Sequence, residues 1–305
     1  MTWHAAFEPT LPTIGLILAA MAVVAAIETA IPLHARGRWN RVHLGPNLAL
    51  TFTTFATNAV LNAALVMMLG WLQSRRIGLL HLFALRPWAT VGIVVLVLDF
   101  AFYVAHVSMH KIPIFWRFHS VHHSDPAVDV TTTIRQHPGE SLIRYAFMTA
   151  FGAVLGAPPG AFAVYRAWSA LNGLFEHANL RAPLWLDGIL SWVTTWPHMH
   201  KVHHSRDAAE TDTNYGNIFS FFDRLWDTFT PSARGANVSF GLEGFDAPTL
   251  QTRLQTTAGL LAMPFREASR LEDSPAAPRH SRAPESAKRL GAGGARRVAL
   301  AEPRG

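Results

Sequence analysis

The stretch LPTIGLILAAMAVVAAIETAIPL, residues 11–33, carries a single charge, Glu28. About 20 apolar residues cross a bilayer as a helix, so this segment is long enough to span one. No basic residue precedes it, and the run is longer than the core of a secretory leader, so it is not read as a signal peptide. A second span is expected from Asn47 to Leu72. A third is expected from Trp88 to about Tyr103, interrupted by Asp99. Trp39, Trp71 and Trp88 sit near the ends, where an aromatic belt would place them. Only 15% of the chain is charged, against roughly 25% in soluble domains.

Residues 144–177 give two shorter apolar runs broken by GAPPG, which predicts a helical hairpin that leaves and returns on one side of the membrane. Counting that hairpin, about four to five spans are expected. HARGRWNR (34–41) carries three Arg, which puts it in the cytoplasm and the N-terminus outside. Three spans then bring His106–His123 to the cytoplasmic side. The loop 73–87 also carries three Arg and pulls against this orientation.

The net charge of +6 is not a nucleic-acid signal. From Arg270 onward there are eight basic and four acidic residues in a segment rich in Ala, Pro, Ser and Gly. Residues 266–305 are read as a disordered basic tail drawn to anionic membrane lipid. There is no cysteine, which excludes disulfides, thiolate-ligated haem, cysteine-ligated iron–sulfur clusters and cysteine zinc sites.

Histidine carries the chemistry. Eleven of the sixteen histidines fall between His106 and His204. Three clusters stand out: HVSMH (His106, His110), HSVHH (His119, His122, His123) and HKVHH (His200, His203, His204). Residues three or four apart share a helix face, so His106 can join His110, and His119 can join either His122 or His123. Adjacent helical residues point about 100° apart, so each doublet straddles two sites. Eight imidazoles exceed the four protein ligands that usually satisfy one zinc, which implies two metals. Imidazole suits zinc, copper, iron and nickel alike, so spacing does not choose the ion. His4, His34, His43, His81 and His280 belong to no cluster and are read as bystanders, and His198 as a neighbour of His200.

These boxes resemble the sterol desaturase/fatty acid hydroxylase superfamily of membrane di-iron oxygenases. The resemblance runs over about residues 85–265 and is carried by LDFAFYVAHVSMH, FWRFHSVHHSD, TTTIRQHPGE, LFEHANL, HKVHHS, NYGNIFSFFDRLWDTF and LLAMPFR, in order. Val107 departs from it, standing where Arg often follows the first histidine. The resemblance implies an all-α fold: a polytopic membrane bundle capped on the cytosolic side by a helical domain that holds a histidine-rich dimetal site. It divides the chain into N-terminal spans (1–84), a catalytic domain (85–265) and the tail (266–305).

It further implies two non-haem irons held by the eight clustered histidines, with His177 as a ninth ligand and His137 as a tenth. For His137, capping of the loop before the hairpin is the competing reading. Asp99, Tyr103, Glu140, Asn179 and Asp223 are supporting residues, with Glu176 and Asp227 as further candidates; for Asp223 and Asp227 a solvent-facing place on an interfacial helix is the competing reading. The implied reaction is O2-dependent hydroxylation or desaturation of a membrane lipid C–H bond. Electrons would come from a separate donor, a ferredoxin or a cytochrome b5-like protein with its reductase, because the sequence shows no flavin or NAD fingerprint. Two alternatives stand beside it: a zinc-dependent membrane hydrolase, which the lack of HExxH disfavours, and a metal transport or storage protein.

Overall fold

The structure is a computed structural model that describes residues 10–35, 40–242 and 255–266. Among the described residues the elements are helices, with only the isolated bridges Pro32–Leu180 and Thr194–Phe219 as extended pairings. The expected tail lies outside the described residues, apart from Arg266.

Among the described residues, three helices are long and apolar enough to cross a membrane. They are α1 (Thr10–Ala30), α2 (Asn40–Arg75) and α3 (Pro87–Lys111). Hydrophobicity on all sides of a helix is what lipid contact asks for, and Leu11, Val23, Phe52 and Val60 are exposed along α1 and α2. The third span does not stop near Tyr103. It continues two turns further to Lys111, so His106 and His110 ride on the spanning helix itself. What ends it is Pro113, which disfavours helical geometry at Ile112 (φ −99°, ψ 114°) and then opens α4 (Pro113–His123) at its first position.

The hairpin is α5 (Pro138–Leu155) and α6 (Pro159–Glu176). Each is 18 residues long, and neither joins the three helices that meet the length and hydropathy of a span. Gly156 closes α5 in the left-handed conformation (φ 63°). It packs on Gly78, also at positive φ, so closely that a Cβ on Gly78 would lie 2.3 Å from Gly156 Cα. Only two glycines allow that backbone crossing.

The core lies between α2, α3, α5 and α6. Leu65 and Leu69 meet Val94 and Leu98, with Met148 and Phe162 from the hairpin. The remaining elements are short: α7 (Leu184–Leu190), α8 (Pro197–His203), α9 (Ala208–Thr211), α10 (Phe221–Leu225) and α11 (Thr257–Ala262). They form a layer at the end of the bundle where α3, α4 and α6 deliver their histidines. Leu184, Trp185, Ile189, Trp192 and Trp226 are exposed on this layer, and Arg224 stacks on Trp192 at 4.3 Å. Such an aromatic and cationic surface suits the membrane–water interface.

Candidate metal centre

The helix geometry splits the doublets. One group gathers His106, His110, His119, His123 and His203; the other gathers His122, His177, His200 and His204. In each group the candidate ligand atoms lie within 4.8 Å of one another. His122 and His123 therefore serve different groups, as do His203 and His204. The choice left open for His119 falls on His123. His177, at the C-terminal end of α6, completes the second group.

Backbone carbonyls fix the rings. His106 Nδ1 donates to Tyr215 O at 2.8 Å, His177 Nδ1 to Gly173 O at 2.8 Å, and His203 Nδ1 to Thr213 O at 2.7 Å. With Nδ1 protonated, each Nε2 presents a lone pair to its group. In the second group the Nε2 atoms of His122, His177, His200 and His204 approach one another at 3.0–3.2 Å. In the first, His106 Nε2 and His119 Nε2 are 3.1 Å apart, and the Nε2 atoms of His110, His123 and His203 are buried without a partner among the described residues. Burial holds His119, His122 and His203 at a pKa of about 3, so these rings are neutral at physiological pH. Metal ligation requires neutral imidazole.

This donor set fits a metal ion in each group. Nitrogens bound at about 2.0–2.1 Å to one ion lie roughly 3.0–3.4 Å from each other, the spacing seen in the second group and between His106 and His119 in the first. Neutral rings alone leave lone pairs facing lone pairs and buried nitrogens unsatisfied, which is costly.

His137 is not brought into either group. It caps α5, its Nδ1 accepting from Gly139 N at 2.9 Å and its Nε2 donating to Leu261 O at 3.2 Å. Both ring nitrogens are occupied, which matches the capping reading of this residue. Asn179 also stays away: its side chain accepts from His34 N and donates to His34 O. Asp227 is exposed.

The other acids lie near the rings or behind them. Glu140 Oε1 is 3.4 Å from His119 Nδ1, and Glu176 Oε1 is 3.9 Å from His200 Nε2. Asp99 accepts from the backbone N–H groups of Ile218 and Phe219, tying the 214–219 loop to α3. Tyr103 bonds Thr228 through its hydroxyl at 2.8 Å. Asp223 accepts from Tyr215 N at 2.7 Å, Gly216 N at 2.9 Å and Thr228 Oγ1 at 2.8 Å. It thus holds the segment whose Tyr215 carbonyl orients His106. Burial raises Asp223 to about 6. Asp223→Asn would turn an N–H toward a backbone N–H. We expect metal affinity to fall by about tenfold or more, read by chelator competition.

Several supporting residues were not among the expected site residues, although Arg135 stands in the TTTIRQHPGE element. Asp212 Oδ1 lies 3.3 Å from His110 Nδ1. Lys201, buried beneath the second group, donates to His177 O, and burial lowers it to about 8. Arg135 lies behind α4, donating to Val121 O, Asn47 Oδ1, Ser124 Oγ and Gln255 Oε1. Burial alone would raise Asp125, but Arg135, His43 and Asn47 hold it at about 2.

A cavity of about 470 Å³ opens from the histidines into the bundle. His106, His119, His122, His177 and His200 form one end, and Ile14 and Ile17 of α1 with Pro159 and Gly160 of α6 lie along it.

The Fatty acid hydroxylase family profile matches residues 91–228. The chain is 32% identical over 158 residues to alkylglycerol monooxygenase of Xenopus tropicalis, covering 51% of this chain and 33% of that protein. It is 32% identical over 174 residues to ornithine lipid hydroxylase OlsE of Rhizobium tropici, covering 57% and 50%. A very-long-chain aldehyde decarbonylase of Oryza sativa subsp. indica matches at 25% over 150 residues, covering 44% and 22%. The chain thus spans half or less of the length of these curated relatives, and no solved structure matches it. The segment matched by the family, residues 91–228, begins in α3 and runs through both histidine groups, and together with these relatives it supports the sterol desaturase/fatty acid hydroxylase superfamily.

Proposed function

We infer that the chain is an integral-membrane oxidoreductase that uses two irons and O2 to hydroxylate or desaturate a C–H bond of a lipid. The observation that carries this reading is the pair of buried histidine groups at the end of a cavity that runs between apolar helices. His106, His110, His119, His123 and His203 would hold one ion, and His122, His177, His200 and His204 the other. Iron so held supplies O2 activation, which imidazole ligation permits without requiring. The names of the relatives, two of them lipid oxygenases, support the lipid substrate and the redox chemistry.

The chain's own residues do the rest. Carbonyls of Tyr215, Gly173 and Thr213 keep Nδ1 protonated and turn Nε2 inward. Ile14, Ile17 and Phe162 would keep water from the alkyl chain. The hairpin, entering and leaving on one side, would bring the count of membrane-inserted helices to five. The positive-inside rule would set the histidines on the cytoplasmic face, within reach of a separate electron donor.

A zinc hydrolase would work without oxygen, and a transporter would place ligands along mid-span pathways. Here they cluster at the end of α3 and in short helices. The test is lipid mass spectrometry on membranes with and without the protein under air, with His122→Ala alongside and metal analysis of the purified chain. We expect an oxidised or unsaturated lipid that depends on O2 and on His122, and close to two irons per chain. Turnover that survives strict anaerobiosis, or flux of metal in proteoliposomes without lipid change, would overturn it.

A further inference from the structure

The cavity beside the histidines is not uniformly apolar. Arg144 of α5 and Arg166 of α6 both line it, with Asn58 and Asn62 of α2. A guanidinium held among apolar helices is costly and marks a ligand or ion pathway by default. The two arginines differ in what they touch. Arg144 lies 3.9 Å from the Glu140 carboxylate, bonds the Gln136 side chain and sits over the Phe102 ring. Arg166 has no carboxylate within ion-pair distance among the described residues, and its guanidinium lies 5.5 Å from the Tyr145 ring centroid. Glu176 also lines the cavity, but at its histidine end, ten residues and about 15 Å along α6 from Arg166. Asn58 Oδ1 and Glu140 Oε2, both on this cavity, are buried without a hydrogen-bond partner among the described residues, but as acceptors they offer nothing to an anion. What the cavity offers an anion is the Arg166 fork, which no carboxylate of its walls pairs, with Arg144 nearby.

We propose that Arg166, with Arg144 beside it, forms an anion subsite in this cavity that takes the carboxylate or phosphate of a single-chain amphiphile. Guanidinium forks match both groups in two-point geometry. Glu140 touches His119, and Arg144 is one helical turn, about 6 Å, beyond it. The subsite would thus anchor the lipid's polar end near the histidines. The proposal rests on reading the cavity as the lipid site.

The test measures binding, which needs neither metal nor turnover. The full chain in non-ionic detergent is assayed by scintillation proximity with radiolabelled hexadecanoate, hexadecyl phosphate, hexadecanol and hexadecyltrimethylammonium. The wild type should hold an anionic probe at least about tenfold tighter than the alcohol, as charge-assisted bonds to a fork imply. Arg166→Gln should bring the anions to the level of the alcohol and leave the alcohol unchanged. Arg166→Lys should keep part of the preference. The carboxylate and phosphate probes tell which headgroup is favoured, and competition by inorganic phosphate tells whether the anion alone suffices. Equal binding of acid, phosphate and alcohol by the wild type would overturn the subsite, as would equal loss of all probes in a folded Arg166→Gln. Headgroup selectivity without lipid oxidation would leave the subsite standing and sink the oxidation reading; the reverse pattern would sink the subsite alone.

Discussion

His203→Ala and His204→Ala are expected to remove metal from different groups, although the residues are neighbours. His203 belongs with His106, His110, His119 and His123, and His204 with His122, His177 and His200. Each substitution should lower the bound metal from about two ions per chain toward one. Each should cost at least about a hundredfold in lipid oxidation, since losing even an outer partner of a ligand costs up to that much. His198→Ala is the control. Its ring lies 3.8 Å from Asp187 and joins neither group, so metal content should be unchanged. Metal analysis after exhaustive dialysis, paired with an activity assay on the same preparations, checks all three. If both histidine variants keep two ions, the assignment of the doublet fails.

Arg135→Met is expected to be the most damaging substitution for folding. The guanidinium is fully buried and donates to four groups from α2, α4 and the segment before α11. Its charge also helps to keep the buried Asp125 ionised. Removing one partner of a buried charged network leaves the other uncompensated, at a cost of about 3–5 kcal/mol. That is a large part of the roughly 5–15 kcal/mol holding a typical domain. The expected result is poor recovery of monodisperse protein and a large fall in thermal midpoint in detergent. Arg135→Lys keeps the charge but loses the fork, and should fall between. A wild-type midpoint in Arg135→Met would show that this network carries little of the stability.

Much of this was legible from residue spacing. The HxxHH doublets fix which rings can share an ion because the helical period is 3.6, and both doublets do fall on helices. Apolar length picks out the three helices that are long enough to cross a membrane, although the third runs on past Tyr103 to Lys111. What was not legible lies in contacts made through backbone. Carbonyls of Gly173, Thr213 and Tyr215 orient three of the rings, and a carbonyl has no side-chain signature. Lys201 sits inside HKVHH, where its charge gives no hint that it is buried under His177. His43, a bystander by spacing, sits 3.1 Å from Asp125 because α2 packs behind α4, a tertiary fact. His137 and Asn179 are both buried and bonded, but their bonds order loops instead of facing the metal groups.

The unbroken passage of α3 from lipid to ligand gives the bilayer a grip on the chemistry. At 25 residues the helix is about 37 Å long, against a hydrocarbon thickness of about 30 Å. The surplus, about 7 Å, is a little over one turn and close to the rise from His106 to His110. A longer helix meets a thinner membrane by tilting, and with no hinge before Ile112 any tilt must swing those two rings. The rings of α4 and α8 sit on separate short helices and would not follow in step. Membrane thickness would then act as a tuning screw on the geometry of one histidine group and leave the other nearly fixed.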